Sequence, residues 1–425
     1  MRSGWLAGVA IAAALAGCGS PDETPGGGSS STNSAWIQTD LAGADLDGDG
    51  RNDIVTIATL QQSFGVNEGT LKIYRQTTPG AFVASTIRIG SFPWRLKISD
   101  VNGDGAPDLL VLDVIGGSGA NDDVLYLFLQ DVNSRGRFLA PRTVASGLSA
   151  NDFVVTDANL DIAPDIVTAG VPGGGDGAAQ YLQVPTARGT FEAPTVLNLA
   201  GRAQRVATGD VGGSARLDLV SYSILDTSAS ANSPGQLVVA YSTLFDAAGT
   251  SAFYLTPGRV MAANVGVNAQ AIAVADVDGN ALQDIVVCFT AVSSTFQPKI
   301  SVVLQRALGQ LEVVDTSLAS LSGLDGFVVA DLNGDGRPDV ATTGFFPVGT
   351  PSTVRSRTNL LAPAIDGRYV VTATIDMPVP MSRINAIDVD GDTLTDLILL
   401  GDSNRAYVMY QSAAVRGTFS APRLL

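Results

Sequence analysis

One acidic motif recurs seven times along this chain of 425 residues and restricts the folds that it can adopt. Its first copy, within ADLDGDGRNDIV, has aspartates at positions 1, 3, 5 and 9 of a short loop, with glycines between them. The copies begin 53 to 66 residues apart, at Asp45, Asp100, Asp157, Asp210, Asp276, Asp331 and Asp388. Clustered carboxylates repel one another unless a cation lies among them, and glycine allows the sharp turn that gathers them. The motif therefore predicts cation-binding loops, one in each copy of a repeated unit.

The segments around each motif predict four short strands per unit. One apolar strand leads into the loop and a second leaves it, a third follows a polar gap, and a fourth carries a glycine two residues before an aromatic residue, as in Gly136-Arg137-Phe138. No segment has helical periodicity. Such units are typical of propeller blades, whereas a solenoid, the alternative, has shorter repeats and atypical caps. We therefore predict an all-β fold, a seven-bladed β-propeller of four-stranded antiparallel blades over residues 35–425, with blade 1 abutting blade 7.

The first 34 residues are expected to direct the chain to its location rather than to join the fold. Arg2 precedes the apolar run Trp5–Leu15, which has the length of a signal peptide and is too short to span a bilayer. The run ends in Leu15-Ala16-Gly17-Cys18, which resembles the lipobox of bacterial lipoproteins. The resemblance implies a signal peptide over residues 1–17, a lipid on Cys18 and a flexible linker over residues 18–34. An ordinary signal peptide with an incidental cysteine is the alternative.

Composition and charge exclude several functions. Histidine is absent, so no Ser-His-Asp or Cys-His catalytic site and no His-ligated zinc, iron or copper site can form. Asp and Glu number 41 against 25 Lys and Arg, a formal charge of −16 that disfavours nucleic acid as a partner. Cys288 lies in an apolar strand and is expected to be a small buried hydrophobe.

The motif DxDGDGxxD between two strands, with the G-x-F-x-x-P strand, resembles the FG-GAP/VCBS repeat family, which includes the seven-bladed propeller of integrin α subunits. The resemblance covers residues 35–425. It implies Ca²⁺ as the cofactor, about four to six ions, held by side chains at positions 1, 3, 5 and 9 and by the backbone carbonyl at position 7. An EF-hand is excluded because position 12 is Thr56, Val111 or Thr342 in three of the best copies, where an EF-hand needs Glu.

The loops differ in how many of these ligands they keep. Loops 1, 2, 6 and 7 are complete, with Asp45, Asp47, Asp49, Arg51 and Asp53; Asp100, Asn102, Asp104, Ala106 and Asp108; Asp331, Asn333, Asp335, Arg337 and Asp339; and Asp388, Asp390, Asp392, Leu394 and Asp396. Loops 3 and 5 keep their side-chain ligands but lose glycines, and whether they bind metal stays open: Asp157, Asn159, Asp161 and Asp165; and Asp276, Asp278, Asn280 and Asp284. Loop 4 keeps Asp210 and Asp218 but lacks the two ligands between them, so we expect no metal there.

A ligand surface is expected on the face opposite the calcium loops. In a propeller that face collects the loops between strands 2 and 3 and between blades, which here are the longest segments, such as Val171–Ala179 and Leu225–Gly235. Trp94 and Arg95 are the candidate ligand-binding residues there, since aromatic and Arg side chains are frequent anchors. The alternative for Trp94 is packing between blades.

The expected function is that of a non-enzymatic, calcium-binding lipoprotein that binds a protein or a glycan as an adhesion or scaffold module. Gly19 after the lipidated cysteine favours the outer membrane, so we expect the protein at the bacterial cell surface, attached to the membrane through Cys18. We also expect a monomer. The alternative is a calcium-dependent polysaccharide lyase, because related propellers occur in such enzymes. A lyase would need a convergent Lys/Arg cluster, and the lysines Lys72, Lys97 and Lys299 each lie inside a predicted strand, which argues against one.

Overall fold

The computed structural model describes residues 35–61, 67–114, 122–199, 201–224, 235–242, 259–290, 297–307, 310–348 and 353–425. The predicted signal peptide, Cys18 and the linker lie outside the described residues. Most of the predicted loop Leu225–Gly235 lies outside them as well. No helix in the described part of the chain is long and apolar enough to cross a membrane.

Seven four-stranded antiparallel sheets follow one another along the chain, which confirms the predicted seven-bladed propeller. Blades 1 to 4 comprise β1 (Ala35–Ala44), β2 (Asp53–Gln61), β3 (Glu68–Thr78) and β4 (Ala81–Arg88); β5 (Pro93–Ser99), β6 (Asp108–Asp113), β7 (Asp123–Phe128) and β8 (Arg142–Leu148); β9 (Phe153–Thr156), β10 (Asp165–Thr168), β11 (Ala178–Tyr181) and β12 (Thr195–Leu197); and β13 (Arg202–Gly209), β14 (Asp218–Ile224), β15 (Gly235–Ala240) and β16 (Arg259–Gly266).

Blades 5 to 7 repeat the same order. They comprise β17 (Ala269–Ala275), β18 (Asp284–Phe289), β19 (Lys299–Ala307) and β20 (Gln310–Ser317); β21 (Gly323–Ala330), β22 (Asp339–Val348), β23 (Thr353–Pro363) and β24 (Tyr369–Asp376); and β25 (Met381–Ile387), β26 (Asp396–Gly401), β27 (Arg405–Met409) and β28 (Arg423–Leu424), with a short 3-10 helix at Asp402–Asn404. Each predicted metal loop joins the first and second strands of its blade, so all seven lie on one face.

Burial follows the position of each strand in its blade. Second strands such as Asp108–Asp113 and Asp396–Gly401 are buried at every residue, because the neighbouring blades cover both faces of the sheet. Outermost strands such as Ala81–Arg88 are mostly exposed. The apolar cores lie between blades: Leu127 of blade 2, for example, shares a cluster with Phe153 and Ile166 of blade 3.

The ring closes by contact between blades 7 and 1 without exchange of a strand, as the sequence predicted. Leu41 and Tyr74 of blade 1 pack in one cluster with Leu400 and Val408 of blade 7. The Gln76 amide also donates to the Val389 carbonyl across this boundary at 2.8 Å. Closure therefore uses the same mixture of apolar packing and amide contacts as the other blade boundaries.

Candidate functional site

All seven loops adopt one backbone conformation, including those that have lost glycines. Positions 4 and 6 are left-handed in loop 1, where Gly48 and Gly50 have φ of 76° and 83°. They are also left-handed in loop 3, where Leu160 and Ile162 have φ of 61° and 72°. Thr393 holds position 6 of loop 7 at φ 70°. The fold therefore imposes the turn even on residues that disfavour it.

The first aspartate is the hub of each turn. In loop 1 one carboxylate oxygen of Asp45 accepts from the backbone N–H groups of Gly48 at 2.7 Å and Asp49 at 3.1 Å, and the other accepts from Gly50 at 2.9 Å. The same three contacts recur around Asp331 in loop 6. The backbone amides thus hold this carboxylate at the centre of the turn before any cation is considered.

The aspartate at position 9 fastens the loop to the third strand of its blade. In loop 2 the buried Asp108 accepts from the N–H of Val101 at 3.0 Å and from that of Gln130, just after β7, at 2.8 Å. Burial raises the pKa of Asp108 to about 6, although these backbone hydrogen bonds lower it. Burial raises the pKa of Asp53 to about 6 in the same way.

A glutamine that the sequence interpretation overlooked completes this attachment. Gln183 is buried and donates from its amide to the carbonyls of Pro164 in its own loop and of Val101 in the loop of blade 2, at 2.6 and 2.9 Å. Its side-chain oxygen accepts from the N–H of the turn glycine Gly189 at 3.0 Å. Glutamine recurs at the equivalent position in five blades, as Gln76, Gln130, Gln183, Gln305 and Gln411. This recurrence was visible in the sequence.

Blade 6 departs from this pattern. Its third strand places Pro363 where five blades have the glutamine and blade 4 has Ser242, and proline has no N–H to donate. One oxygen of the buried Asp339 therefore has no hydrogen-bond partner among the described residues. Arg337 takes over part of the role of the missing glutamine, which is to bind backbone carbonyls across the blade boundary. Its guanidinium donates to the Pro363 carbonyl at 3.2 Å and to the Val277 carbonyl of blade 5 at 2.8 Å.

The predicted side-chain ligands converge in several loops. In three of them, carboxylate oxygens lie within 4.8 Å of one another: Asp45, Asp47 and Asp49; Asp276, Asp278 and Asp284; and Asp388, Asp390 and Asp392. Loops 2, 3 and 6 have asparagine at position 3, whose amide donates to the carboxylate at position 5, as from Asn102 to Asp104 at 2.7 Å. One oxygen of the half-buried Asp47 has no hydrogen-bond partner in the described part of the chain. Oxygen donors alone, some without a partner, suit a hard cation such as Ca²⁺.

The remaining predicted ligands lie where the sequence placed them. Arg51, Ala106, Arg337 and Leu394 occupy position 7 of their loops, and each backbone N–H donates to the aspartate at position 5, as from Arg51 to Asp49 at 2.9 Å. In loop 4, Asp210 accepts from Ser214 and Ala215, both at 2.7 Å, but no carboxylate stands between Asp210 and Asp218.

A second feature, a polar cavity of about 460 Å³, lies on the propeller axis among the first strands. The residues five positions before each loop form a ring around it, here called the axial ring: Asp40, Arg95, Asp152, Arg205, Ala271, Gly326 and Arg383. In six first strands the register shifts by one residue just before this position. Such a bulge leaves a backbone carbonyl outside the ladder.

The arginines of the axial ring bind these carbonyls and join adjacent blades. Arg205 donates to the carbonyls of Gln204 and, in blade 5, Gln270, both at 2.7 Å. Arg383 donates to the backbone carbonyl of Asp325 in blade 6 at 2.7 Å. Burial, reinforced by the nearby Arg95, lowers the pKa of Arg205 to about 9. These contacts lie far apart in sequence, so no local pattern could have predicted them.

Trp94 and Arg95, the candidate ligand-binding residues, lie in different environments. Trp94 is half-buried, packs against the core between blades 2 and 3, and donates to the Asn151 carbonyl at 3.1 Å. Arg95 lines the cavity, with its Nε 3.7 Å from Asp152. Lys97 lines the cavity as well, together with the adjacent Leu96 and Ile98, because the inner edge of this first strand faces the axis. Its position inside a strand therefore does not keep it out of a Lys/Arg cluster.

Comparisons with known proteins match a repeat family over part of the chain and find similar solved structures. A family model described as FG-GAP-like repeat matches residues 45–111, which contain loops 1 and 2. No curated protein matches the chain. Among solved structures the chain is similar to an exotype rhamnogalacturonan lyase, YesX, at 13% identity and a TM-score of 0.49, covering 87% of this chain and 71% of that one. The chain is therefore a seven-bladed β-propeller, of which residues 45–111 match the FG-GAP-like repeat.

Proposed function

We propose that this propeller is a calcium-stabilised, non-enzymatic binding module of the bacterial cell envelope. The observation that carries the calcium assignment is the convergence of oxygen donors in the loops, most clearly the three aspartates 388, 390 and 392 of loop 7. Loops 1, 2, 6 and 7 would bind the ion, and loops 3 and 5 hold donors in the same turn. The ion would neutralise the clustered carboxylates; the chain itself supplies the preformed turn.

Thermal unfolding with and without calcium tests the assignment. With affinities on the order of 10⁻⁴–10⁻³ M, Ca²⁺ at ten times its Kd stabilises by ~1.4 kcal/mol per site, so four sites contribute ~6 kcal/mol. We expect EDTA to lower the melting temperature and millimolar Ca²⁺ to restore it, with Mg²⁺ much less effective. A melting temperature that is the same in EDTA and in Ca²⁺ would contradict the assignment.

The axial cavity is the favoured ligand site, and its chemistry favours a glycan. Charged and amide groups line it next to an aromatic ring: Asp40, Arg95, Lys97, Asp325, Phe327, Arg383 and Asn385. Pairs of opposite charge suit the vicinal hydroxyls of a sugar, and the volume lies in the usual range for small ligands. Asp325 and Arg383 are close enough for the arginine to lower the Asp325 pKa, yet burial raises it to about 6.

A glycan array with the full chain and its Lys97→Met and Asn385→Ala variants tests this site. The Lys97 side chain makes no hydrogen bond in the described part of the chain, so Lys97→Met should leave the melting temperature unchanged. Asn385 donates to the Leu41 carbonyl at 3.3 Å across the boundary between blades 7 and 1, so Asn385→Ala should fold with a slightly lower melting temperature. We expect binding to be lost in both variants. It should be kept in Lys72→Met, a control in β3, the third strand of blade 1. Binding that is indifferent to both changes would place the ligand elsewhere.

A second candidate function is polysaccharide lysis, which one observation favours. Lys97, Arg95 and Arg383 converge on the same cavity, where a lyase would need a base and cations that stabilise an enolate. Three aspartates that line the cavity, Asp40, Asp152 and Asp325, offset that charge. Incubation with uronate-containing polysaccharides, followed by detection of unsaturated ends, distinguishes the two: product formation that Lys97→Met abolishes would establish the enzyme.

The proposed anchor bears on the position of the ligand. The first strand starts on the face opposite the metal loops, and the flexible linker predicted from the sequence for residues 18–34 would reach that face with a span of about 20–25 Å. A lipid on Cys18 would turn that face towards the outer membrane, which favours a scaffold ligand in the same envelope over a ligand on another cell. Metabolic lipid labelling that Cys18→Ala abolishes tests the anchor, and light scattering tests the expected monomer.

A further inference from the structure

Three arginines on one face of the propeller lie over metal loops of the preceding blades. Arg135, Arg188 and Arg416 each immediately precede the turn glycine between the third and fourth strands, in blades 2, 3 and 7. All three side chains are exposed, and none has an ion-pair partner within the described ranges. They are positive groups that the blade packing does not require.

The distance between each arginine and its loop can be judged from the space around the glycine at position 4 of that loop. A methyl group added to Gly48 of loop 1 would lie 3.0 Å from Nη1 of Arg135, and one on Gly103 of loop 2 would lie 3.9 Å from Nη1 of Arg188. A methyl on Gly334 of loop 6 would overlap the Arg416 guanidinium. Loops 1, 2 and 6 therefore each have a guanidinium from the next blade against the turn that gathers their carboxylates.

Loops 5 and 7 differ in this respect. Nothing lies within 4 Å of a methyl group added to Gly279 or Gly391, the corresponding glycines. The residue before the turn glycine is Pro79 in blade 1, which follows loop 7 around the ring, and Asp366 in blade 6, which follows loop 5. Loop 5 instead has Arg306 of its own blade, 2.6 Å from Asp278. Among the loops with three clustered carboxylates, loop 7 is the one with no arginine beside it in the described part of the chain.

We propose that Arg135, Arg188 and Arg416 are tethered counter-cations that weaken calcium binding by loops 1, 2 and 6, so that loop 7 binds Ca²⁺ first. This proposal rests on the proposed calcium binding. Without metal, each guanidinium offsets the loop's negative charge across a blade boundary. With metal, a single positive charge ~6 Å from a divalent ion in a water-like dielectric lowers the affinity about tenfold.

The arginines, rather than ligand composition alone, then set the order of filling. Loop 1 has the same four aspartates at positions 1, 3, 5 and 9 as loop 7. Ligand identity therefore predicts equal affinity for these two loops, whereas the tethered cation predicts that loop 7 binds more tightly. Loop 1 also has Arg51, whose guanidinium pairs with Asp49 of the same loop, so substitution of Arg135 with Arg51 kept in place is what separates the two explanations.

Calorimetric titration of the metal-free full chain with Ca²⁺ tests the proposal. We expect a tighter class, which Asp390→Ala removes, and a weaker class. The variant R135Q/R188Q/R416Q should bind the same number of ions, with its weaker class tightened about 3–10-fold and its tighter class unchanged. The control R88Q/R137Q/R142Q loses the same net charge at three exposed arginines that do not lie against the loop glycines. Its affinities should change less than twofold, and high salt should reduce the difference between variants.

Equal affinities in the two triple variants would overturn the tethered-cation proposal and leave calcium binding intact. A tighter class that survives Asp390→Ala would overturn the assignment of loop 7 as the first site. If the parent chain bound no Ca²⁺ at all, both this proposal and the proposed function would be wrong.

Discussion

Loop 3 holds two large apolar residues in a backbone conformation suited to glycine, and the resulting strain can be measured. Leu160 and Ile162 have φ of 61° and 72°, and Ile162 is 87% exposed, so it contributes little burial. We predict that replacing both with glycine stabilises the protein. This is unusual, because glycine normally destabilises an ordered segment.

The magnitude follows from two opposing terms. The left-handed conformation costs a residue with a Cβ roughly 1–2 kcal/mol, which glycine removes. Glycine in turn costs roughly 0.5–1 kcal/mol in lost chain entropy on folding. The net gain is roughly 0.5–1 kcal/mol per position, or about 1–2 kcal/mol for the double variant. With an unfolding entropy of about 2 cal/mol/K per residue, a propeller of this size should gain about 1–2 °C in melting temperature.

Scanning calorimetry in EDTA measures the shift without any contribution from bound metal. Ile365→Gly is the matched control, since Ile365 lies on a turn of the same face, is 93% exposed and does not have a positive φ. We expect the control to lower the melting temperature slightly while L160G/I162G raises it. If both variants lowered the melting temperature by similar amounts, loop 3 would not be strained.

Three further predictions follow from the contacts within the loops. Asp53→Asn should lower the melting temperature in both EDTA and Ca²⁺, because Asp53 fastens the loop to β3. Asp47→Ala should lower it only in Ca²⁺, and calorimetry in both buffers distinguishes the two variants. Gln183→Ala should lower the free energy of unfolding, measured in urea, by about 3 kcal/mol, since it leaves three buried or partly buried backbone groups without their side-chain partner. In EDTA, stability should increase as the pH falls from 7 towards 5, because burial raises the pKa values of Asp53 and Asp108 to about 6 and the folded state therefore binds protons more tightly than the unfolded chain. In saturating Ca²⁺ this slope should flatten or reverse, since the metal requires ionised carboxylates.

The blade count and the position of every metal loop could be predicted because both depend on local patterns. Aspartate spacing and strand alternation act over about ten residues, and the seven copies reinforced one another. The recurring glutamine, Gln183 and its equivalents, followed the same logic and could also have been found. The sequence interpretation noticed the strands that contain it but not the residue.

Features that arise from ring closure could not be predicted in this way. The axial ring brings Asp40 and Arg383 together from opposite ends of the described chain, and Arg205 binds a carbonyl 65 residues away. Lys97 shows the consequence for function. The pattern placed it correctly inside a strand, but only the closed ring shows that this strand lines a cavity, so the argument against a Lys/Arg cluster does not hold.

The division of roles within each loop explains why one copy can lose its ligands. Positions 1 and 9 accept backbone hydrogen bonds that build the turn and fasten it to the sheet, and loop 4 keeps both, as Asp210 and Asp218. Positions 3 and 5 contribute mainly oxygen atoms for a cation, and loop 4 has lost both. A bound metal would then add stability to a loop that is already folded, rather than create the loop. Loss of one ion would therefore remove the stabilisation of that one site and leave the blade, its neighbours and the ring in place.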